Sequence, residues 1–111
     1  MRAAWLLRDG EVLAALEVTE SRKERMQGLL DRGGIEGAML IRPARSVHSV
    51  GMQFPIDVAF CDKDLVVLRT VCLRPGRLTR PSWKGRCVIE AESGAFERWK
   101  VRPGDRLEIR E

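Results

Sequence analysis

The sequence has few of the residues that commonly build catalytic or metal sites. It contains one histidine and no tyrosine, and its aromatic fraction is 5%. The cysteines Cys61, Cys72 and Cys87 are widely spaced, so no C-x-x-C pair indicates a zinc ribbon or a thioredoxin-type redox site. No P-loop, dinucleotide-binding glycine motif or nucleophile elbow is present. We therefore expect neither a metal nor a cofactor.

The chain also lacks a long apolar run. Residues 3–7 are apolar, but Arg8-Asp9-Gly10-Glu11 ends the run, which is too short for a signal peptide or for a membrane span of about 20 residues. The cysteines lie among apolar residues, where buried, inert and reduced thiols are common. These features predict a soluble, cytoplasmic protein that does not associate with a membrane.

What is present is ordinary globular composition. The 111 residues are 44% hydrophobic and 32% charged, and the formal net charge is +4. A chain of this length fits one domain and can fold without a disulfide or metal staple. No internal linker divides it, so we expect a single domain over residues 1–111.

The apolar pattern predicts many short strands. Asp9-Gly10 between apolar residues 3–7 and 12–18 indicates a hairpin, and Ser21 with Glu24 forms a capping-box motif that begins a helix over residues 21–30. Further strands are predicted at 38–42, 46–52, 56–61, 65–73 and 87–91, with a short helix at 95–101 and a last strand around 107–109. We expect an α+β, mostly β fold: a curled sheet or barrel-like domain of about seven short strands and two short helices.

His48 and Asp57 are the candidate catalytic residues. If residues 46–52 form a strand, His48 shares a face with Val50 and Met52, either as a core histidine or as a proton-transfer group. His48 and Asp57 would come within hydrogen-bond reach if their predicted strands pair. Glu90 is a similar carboxylate within an apolar run, but no spacing pairs it with Asp57.

Asp57 interrupts an otherwise apolar strand. Alternation places Ile56, Val58 and Phe60 on the core face and Asp57 on the opposite face. We expect Asp57 to be at least partly buried in a groove and to accept hydrogen bonds from backbone N–H groups or from an arginine of the loop at residues 74–86.

The charge distribution is uneven. Residues 65–89 contain no acidic side chain, and residues 74–86 form a long loop that holds Pro75, Gly76, Pro81 and Gly85 and has no regular apolar period. Such a loop either is a solvated surface, whose charges face water or pair with Asp62, Asp64, Glu90 and Glu92, or it binds an anion. The ligand-binding candidates within it are Arg74, Arg77, Arg80, Trp83, Lys84 and Arg86.

An ordered set of motifs resembles a known family. Its parts are Gly28-Leu29-Leu30-Asp31-Arg32, Met39-Leu40-Ile41, the segment from His48 to Phe60, Val88-Ile89-Glu90-Ala91-Glu92-Ser93-Gly94 and Val101-Arg102-Pro103-Gly104-Asp105. Over residues 12–109 the chain resembles the family called domain of unknown function 192. Asp31 and Ser93 depart from the glycine and alanine expected there. The resemblance implies a compact, strand-rich α+β domain, often described as barrel-like, and no agreed activity, cofactor or substrate.

Three functions remain open from the sequence. The first is a binding module for an anionic small molecule or protein partner, held by the basic loop. The second is an enzyme of unknown reaction that uses His48 and Asp57. The third is weak, salt-sensitive nucleic-acid binding, which we do not expect to dominate because Trp83 is its only aromatic support.

Overall fold

The computed structural model describes residues 1–111 and contains seven strands and two short helices. The elements are β1 (Arg2–Arg8), β2 (Glu11–Val18), α1 (Arg22–Gln27), β3 (Ala38–Ile41), β4 (Ile56–Cys61), β5 (Val67–Leu73), β6 (Cys87–Glu92), α2 (Ala95–Trp99) and β7 (Glu108–Arg110). The prediction of a mostly β fold with two short helices is confirmed.

All seven strands belong to one mixed sheet in the order β5-β4-β6-β3-β2-β1-β7. The pair β2–β3 is parallel and the other neighbours are antiparallel. The predicted first hairpin is present as β1–β2. Its turn residues Asp9 and Gly10 both have positive φ, at 53° and 77°, as a type I′ turn requires.

The expected barrel-like closure is wrong. The strands β5 and β7 form the two edges of the sheet, which is neither closed nor strongly curled. One isolated bridge between Val66 and Arg106 links the segments beside these edges, but no ladder joins them. Because β7 has three residues and pairs with β1, it adds only a short edge to the sheet.

The central strands β3, β4 and β6 are buried on both faces of the sheet. On the first face, Leu40 and Ile89 pack with Phe96 of α2, and we call this the helix face. On the second, Met39 and Val88 pack with loop residues such as Leu29, Val47 and Met52, and we call it the loop face. Successive residues of a central strand therefore point alternately into the helix-face core and the loop-face core.

The helix α1 begins as predicted but ends earlier. The Ser21 hydroxyl accepts a hydrogen bond from the Glu24 N–H (3.1 Å), and the Glu24 carboxylate accepts one from the Glu20 N–H (2.8 Å). The helix ends at Gln27 rather than at Leu30, because Gly28 adopts a φ of 50° that helical geometry does not allow. Met26 is exposed as a result, and Leu29 enters the loop-face core from the turn that follows.

The strand predicted at 46–52 does not form. Only His48 makes an isolated bridge, and the chain turns where the Met52 N–H donates to the Ser49 carbonyl and Gly51 has a φ of 85°. The alternation itself is real, but its sense is reversed: Val47 and Ser49 are buried, whereas His48 and Val50 are exposed.

The helices have six and five residues. Neither is long and apolar enough to cross a membrane.

Candidate functional site

The two candidate catalytic residues lie on opposite faces of the sheet. Asp57 shares the helix-face side of β4 with Ala59, whereas His48 lines a cavity of the loop face. Asp57 borders a different cavity, beside α2. The expectation that their strands pair and bring an imidazole and a carboxylate together is wrong, because residues 46–52 never join the sheet.

Asp57 is buried, with 8% of its surface exposed, and it holds the start of α2. Its Oδ2 accepts hydrogen bonds from the N–H groups of Gly94 (3.0 Å) and Phe96 (3.1 Å). The helix has no side-chain cap of its own, so a carboxylate from β4 takes that place. The prediction of a buried Asp57 bonded to backbone N–H groups is confirmed.

The basic loop does not cover Asp57 and supplies no arginine to it. The loop at residues 74–86 packs instead on residues 44–49. The Ser49 hydroxyl donates to the Arg74 carbonyl and accepts from the Arg77 N–H (2.9 Å), and the buried Thr79 hydroxyl accepts from the Val47 N–H (2.9 Å). Backbone hydrogen bonds from Ala44 to Arg86 and from Ser82 to Arg45 extend this pairing. The loop is therefore anchored along its length.

The anchored loop and its neighbour present a group of exposed cations. We call this group the basic surface: Arg42, Arg45, Arg74, Arg77, Arg80, Lys84 and Arg86. None of its members forms an ion pair, since every salt bridge of the protein involves other cations. Leu78 and Trp83, exposed by 75% and 84%, stand among them. The interpretation that the loop charges pair with nearby carboxylates is wrong.

A cavity of about 350 Å³ opens on the loop face between α1, the turn after it and residues 43–48. Apolar side chains form its interior, including Leu29, Ile41 and Val88. The ionisable residues that line it are Arg25, Arg45, His48 and Glu90. The first three are wholly or partly exposed, whereas Glu90 is buried, with 3% of its surface exposed.

Glu90 lies in the middle of β6, directly opposite Met39 on β3 and Val58 on β4. Both neighbours are fully buried and apolar. Burial raises the pKa of Glu90 to about 7, and no hydrogen bond or nearby charge of the protein offsets this. A carboxyl group with such a pKa exchanges its proton near neutral pH.

Sequence reasoning identified Glu90 as a carboxylate in an apolar run but not as a cavity residue. The cavity joins segments around residues 25–30, 41–48 and 88–90, which are far apart in the chain. Only the tertiary fold brings them together. No local signal links Gly28 to Glu90, since a Cβ at Gly28 would make only an ordinary contact with Glu90 Oε1 (3.7 Å) and the positive φ of 50° is itself the reason for a glycine there.

The prediction that all three cysteines are buried is wrong for one of them. Cys61 and Cys87 are buried and lie directly opposite each other on β4 and β6, whereas Cys72 is exposed. The adjacent thiol of Cys87, together with burial, raises the pKa of Cys61 above its usual range. No group of three or more histidine, cysteine or acidic side chains is arranged to hold a metal ion.

Two solved structures share the fold. A protein of unknown function from Novosphingobium aromaticivorans superposes with a TM-score of 0.76 at 18% identity, covering 96% of this chain and 83% of that one. A proposed transcription regulator from Sinorhizobium meliloti gives 0.80 at 22% identity, with 96% and 92% covered. At these identities the likeness concerns the fold alone, and it defines a small α+β domain built on an open mixed sheet.

Sequence comparison names the family. Residues 5–109 match DUF192, described as an uncharacterized ACR, and the chain belongs to this family. UPF0127 protein PF1050 of Pyrococcus furiosus is 35% identical over 63 residues, which is 57% of this chain and about half, 54%, of that relative's length. UPF0127 protein PYRAB11210 of Pyrococcus abyssi is 29% identical over 98 residues, 84% of each chain. The resemblance seen in the motifs is thereby confirmed.

Proposed function

We propose that this DUF192 domain is a binding module whose basic surface holds an acidic protein partner. The observation that carries the proposal is the concentration of seven exposed, unpaired cations on two adjacent chain segments, within a region where residues 65–89 contain no acidic side chain. Unpaired cations also occur elsewhere in the protein, but there they are interspersed with acidic residues, and some form ion pairs, such as Arg8 with Asp105 (3.0 Å) and Arg32 with Glu17 (2.7 Å). Cations without internal partners leave a positive potential that attracts an anionic surface.

The anchoring of the loop supports this function. Ser49 and Thr79 hold the loop backbone, so the cations are arranged before a partner arrives and less conformational entropy is lost on binding. The loop backbone is thus held in place while its cations stay exposed to a partner.

The neighbouring apolar side chains favour a protein over a small anion. Leu78 and Trp83 expose large apolar areas beside the arginines, and arginine with tryptophan is a combination typical of protein interfaces. The cations also extend along two chain segments instead of converging on one cavity, which suits an extended acidic surface better than a single phosphate.

The test compares two triple variants with the same net charge. The first changes Arg74, Arg77 and Arg80 of the basic surface to Gln, and the control changes Arg2, Arg98 and Arg110, which are paired with acidic residues. Binding to an immobilised poly-glutamate peptide is measured by biolayer interferometry at low and high salt. We expect the first variant to lose at least about tenfold in affinity and the control to change little.

Three outcomes would contradict the proposal. The wild-type protein fails to bind the peptide at low salt, or the two variants lose affinity equally, which indicates only a net-charge effect. Preference for a single-stranded or duplex oligonucleotide of matched charge over the peptide would instead assign the surface to nucleic acid. No geometric observation favours an enzyme that uses His48 with Asp57.

A further inference from the structure

The loop-face cavity has an unusual buried end. Glu90 enters it from β6, and its carboxyl group meets no hydrogen-bond donor and no cation of the protein. A buried carboxylate is normally hydrogen-bonded or ion-paired, because burial without a partner is energetically costly. Its cross-strand neighbours, Met39 and Val58, offer neither a donor nor a charge. The Glu90 oxygens are not among the polar atoms sealed from solvent without a partner, so they are open to the cavity and can accept from water or from a bound molecule that donates to them.

The rest of the cavity has a distinct polarity. Leu29, Ile41 and Val88 give it an apolar interior, while Arg25 and Arg45 are among its more exposed lining residues. Its volume of about 350 Å³ lies within the range of small-molecule sites, about 300 to 1,000 Å³. The cavity therefore offers an acidic group at its buried end, an apolar middle and basic groups at its opening.

We propose that the cavity binds a small aliphatic molecule with a primary ammonium group at one end and a carboxylate or phosphate at the other. The ammonium group donates to Glu90, the aliphatic chain lies along Leu29 and Val88, and the anionic end meets Arg25 or Arg45. A hydroxyl group would supply a hydrogen bond to Glu90 but no compensating charge. An anionic group at that depth would be repelled by the carboxylate.

This site is separate from the proposed protein-binding surface. No residue of the loop at 74–86 lines the cavity, and Arg45 alone belongs to both. The two proposals can therefore fail independently. Failure of the poly-glutamate experiment leaves the cavity untouched, and removal of Glu90 leaves the loop cations in place.

The experiment is an NMR titration with three matched probes: 5-aminopentanoate, pentanoate and 1-aminopentane. Backbone amide shifts are followed in the wild-type protein, in Glu90→Gln, and in the control Glu92→Gln, which changes an exposed glutamate of the same strand. The glutamine at position 90 keeps the shape of the side chain and removes its charge. Amides of residues 28–30, 41 and 88–90 report on the cavity.

We expect 5-aminopentanoate to give saturable shifts at the cavity amides and to bind more tightly than either single-ended probe. Glu90→Gln weakens its binding by at least about tenfold, and Glu92→Gln does not change it. The proposal is overturned if no probe saturates, if pentanoate binds as tightly as 5-aminopentanoate, or if Glu90→Gln binds like the wild type. Shifts confined to residues 74–86 also overturn it, because they place the probe on the basic surface.

Discussion

The two faces of the sheet each bury one carboxyl group, and they treat it differently. Asp57 on the helix face accepts two backbone N–H hydrogen bonds from the start of α2. Glu90 on the loop face, one strand away, accepts none and faces a cavity. The first carboxylate completes the fold. The second has no partner within the protein and lies open to the cavity, where a donor from outside the protein can reach it.

The largest expected difference between the two carboxyl groups is that Glu90 makes the free energy of unfolding depend on pH. Its pKa is raised from 4.5 to about 7, so the folded protein binds more protons than the unfolded chain between these values. The free energy of unfolding therefore falls as pH rises through this window, by up to about 3 kcal/mol, and stays low above it. Urea unfolding at pH 5 to 8 measures this change, and Glu90→Gln should remove most of it.

The other ionisable side chains that line the cavity are His48, Arg25 and Arg45, and a contribution from His48 has to be separated from that of Glu90. The series is therefore repeated in a His48→Gln background. If the fall in stability disappears with His48→Gln and persists with Glu90→Gln, Glu90 is not the cause and the contrast between the faces is lost.

A smaller effect is expected from Asp57. Replacement by alanine leaves the N–H groups of Gly94 and Phe96 without their acceptor and should lower the free energy of unfolding by about 1 to 3 kcal/mol. Asp57→Asn keeps an acceptor oxygen and should cost less. Chemical denaturation at pH 7 measures both. Equal stability of Asp57→Ala and the wild type would show that α2 does not depend on this cap.

The smallest effect extends the comparison to a third buried polar group. Ser49 on the loop face is fully buried and satisfied by the loop backbone, like Asp57 and unlike Glu90. Ser49→Ala should cost about 1 kcal/mol and increase hydrogen exchange at the amides of residues 76–79. Ser46→Ala, at an exposed position, is the matched control. Unchanged exchange in Ser49→Ala would mean that the loop is anchored by its backbone alone.

Local chemistry made much of the fold predictable. Asp9-Gly10 places two residues at positive φ, and Ser21 with Glu24 caps a helix, so these features follow from neighbouring residues alone. Asp57 was also predictable in outline, since a carboxylate between Ile56 and Val58 needs a donor. Its donors, the N–H groups of Gly94 and Phe96, lie far along the chain at the start of α2. The alternative that an arginine of the basic loop pairs with Asp57 rested on charge alone and is wrong.

The remainder depended on tertiary packing. Residues 46–52 have strand-like alternation, but the side chain of Ser49 bonds the loop at 74–77 and Gly51 turns the chain, so no sheet partner reaches them. The sequence could not distinguish Asp57 from Glu90, because both are carboxylates in apolar runs. They differ in the tertiary structure, where backbone N–H groups donate to Asp57 and none donates to Glu90.

The strand order carries a kinetic consequence. The hairpins β1–β2 and β4–β5 join neighbours in the chain, but β6 must insert between β3 and β4, and β7 must reach back to β1. Hairpins form in microseconds, whereas closing long loops to assemble distant strands slows folding towards milliseconds or seconds. Until β6 arrives, the apolar edges of β3 and β4 stay open to pairing with other molecules, so the interval before its insertion is when this chain is most prone to aggregate.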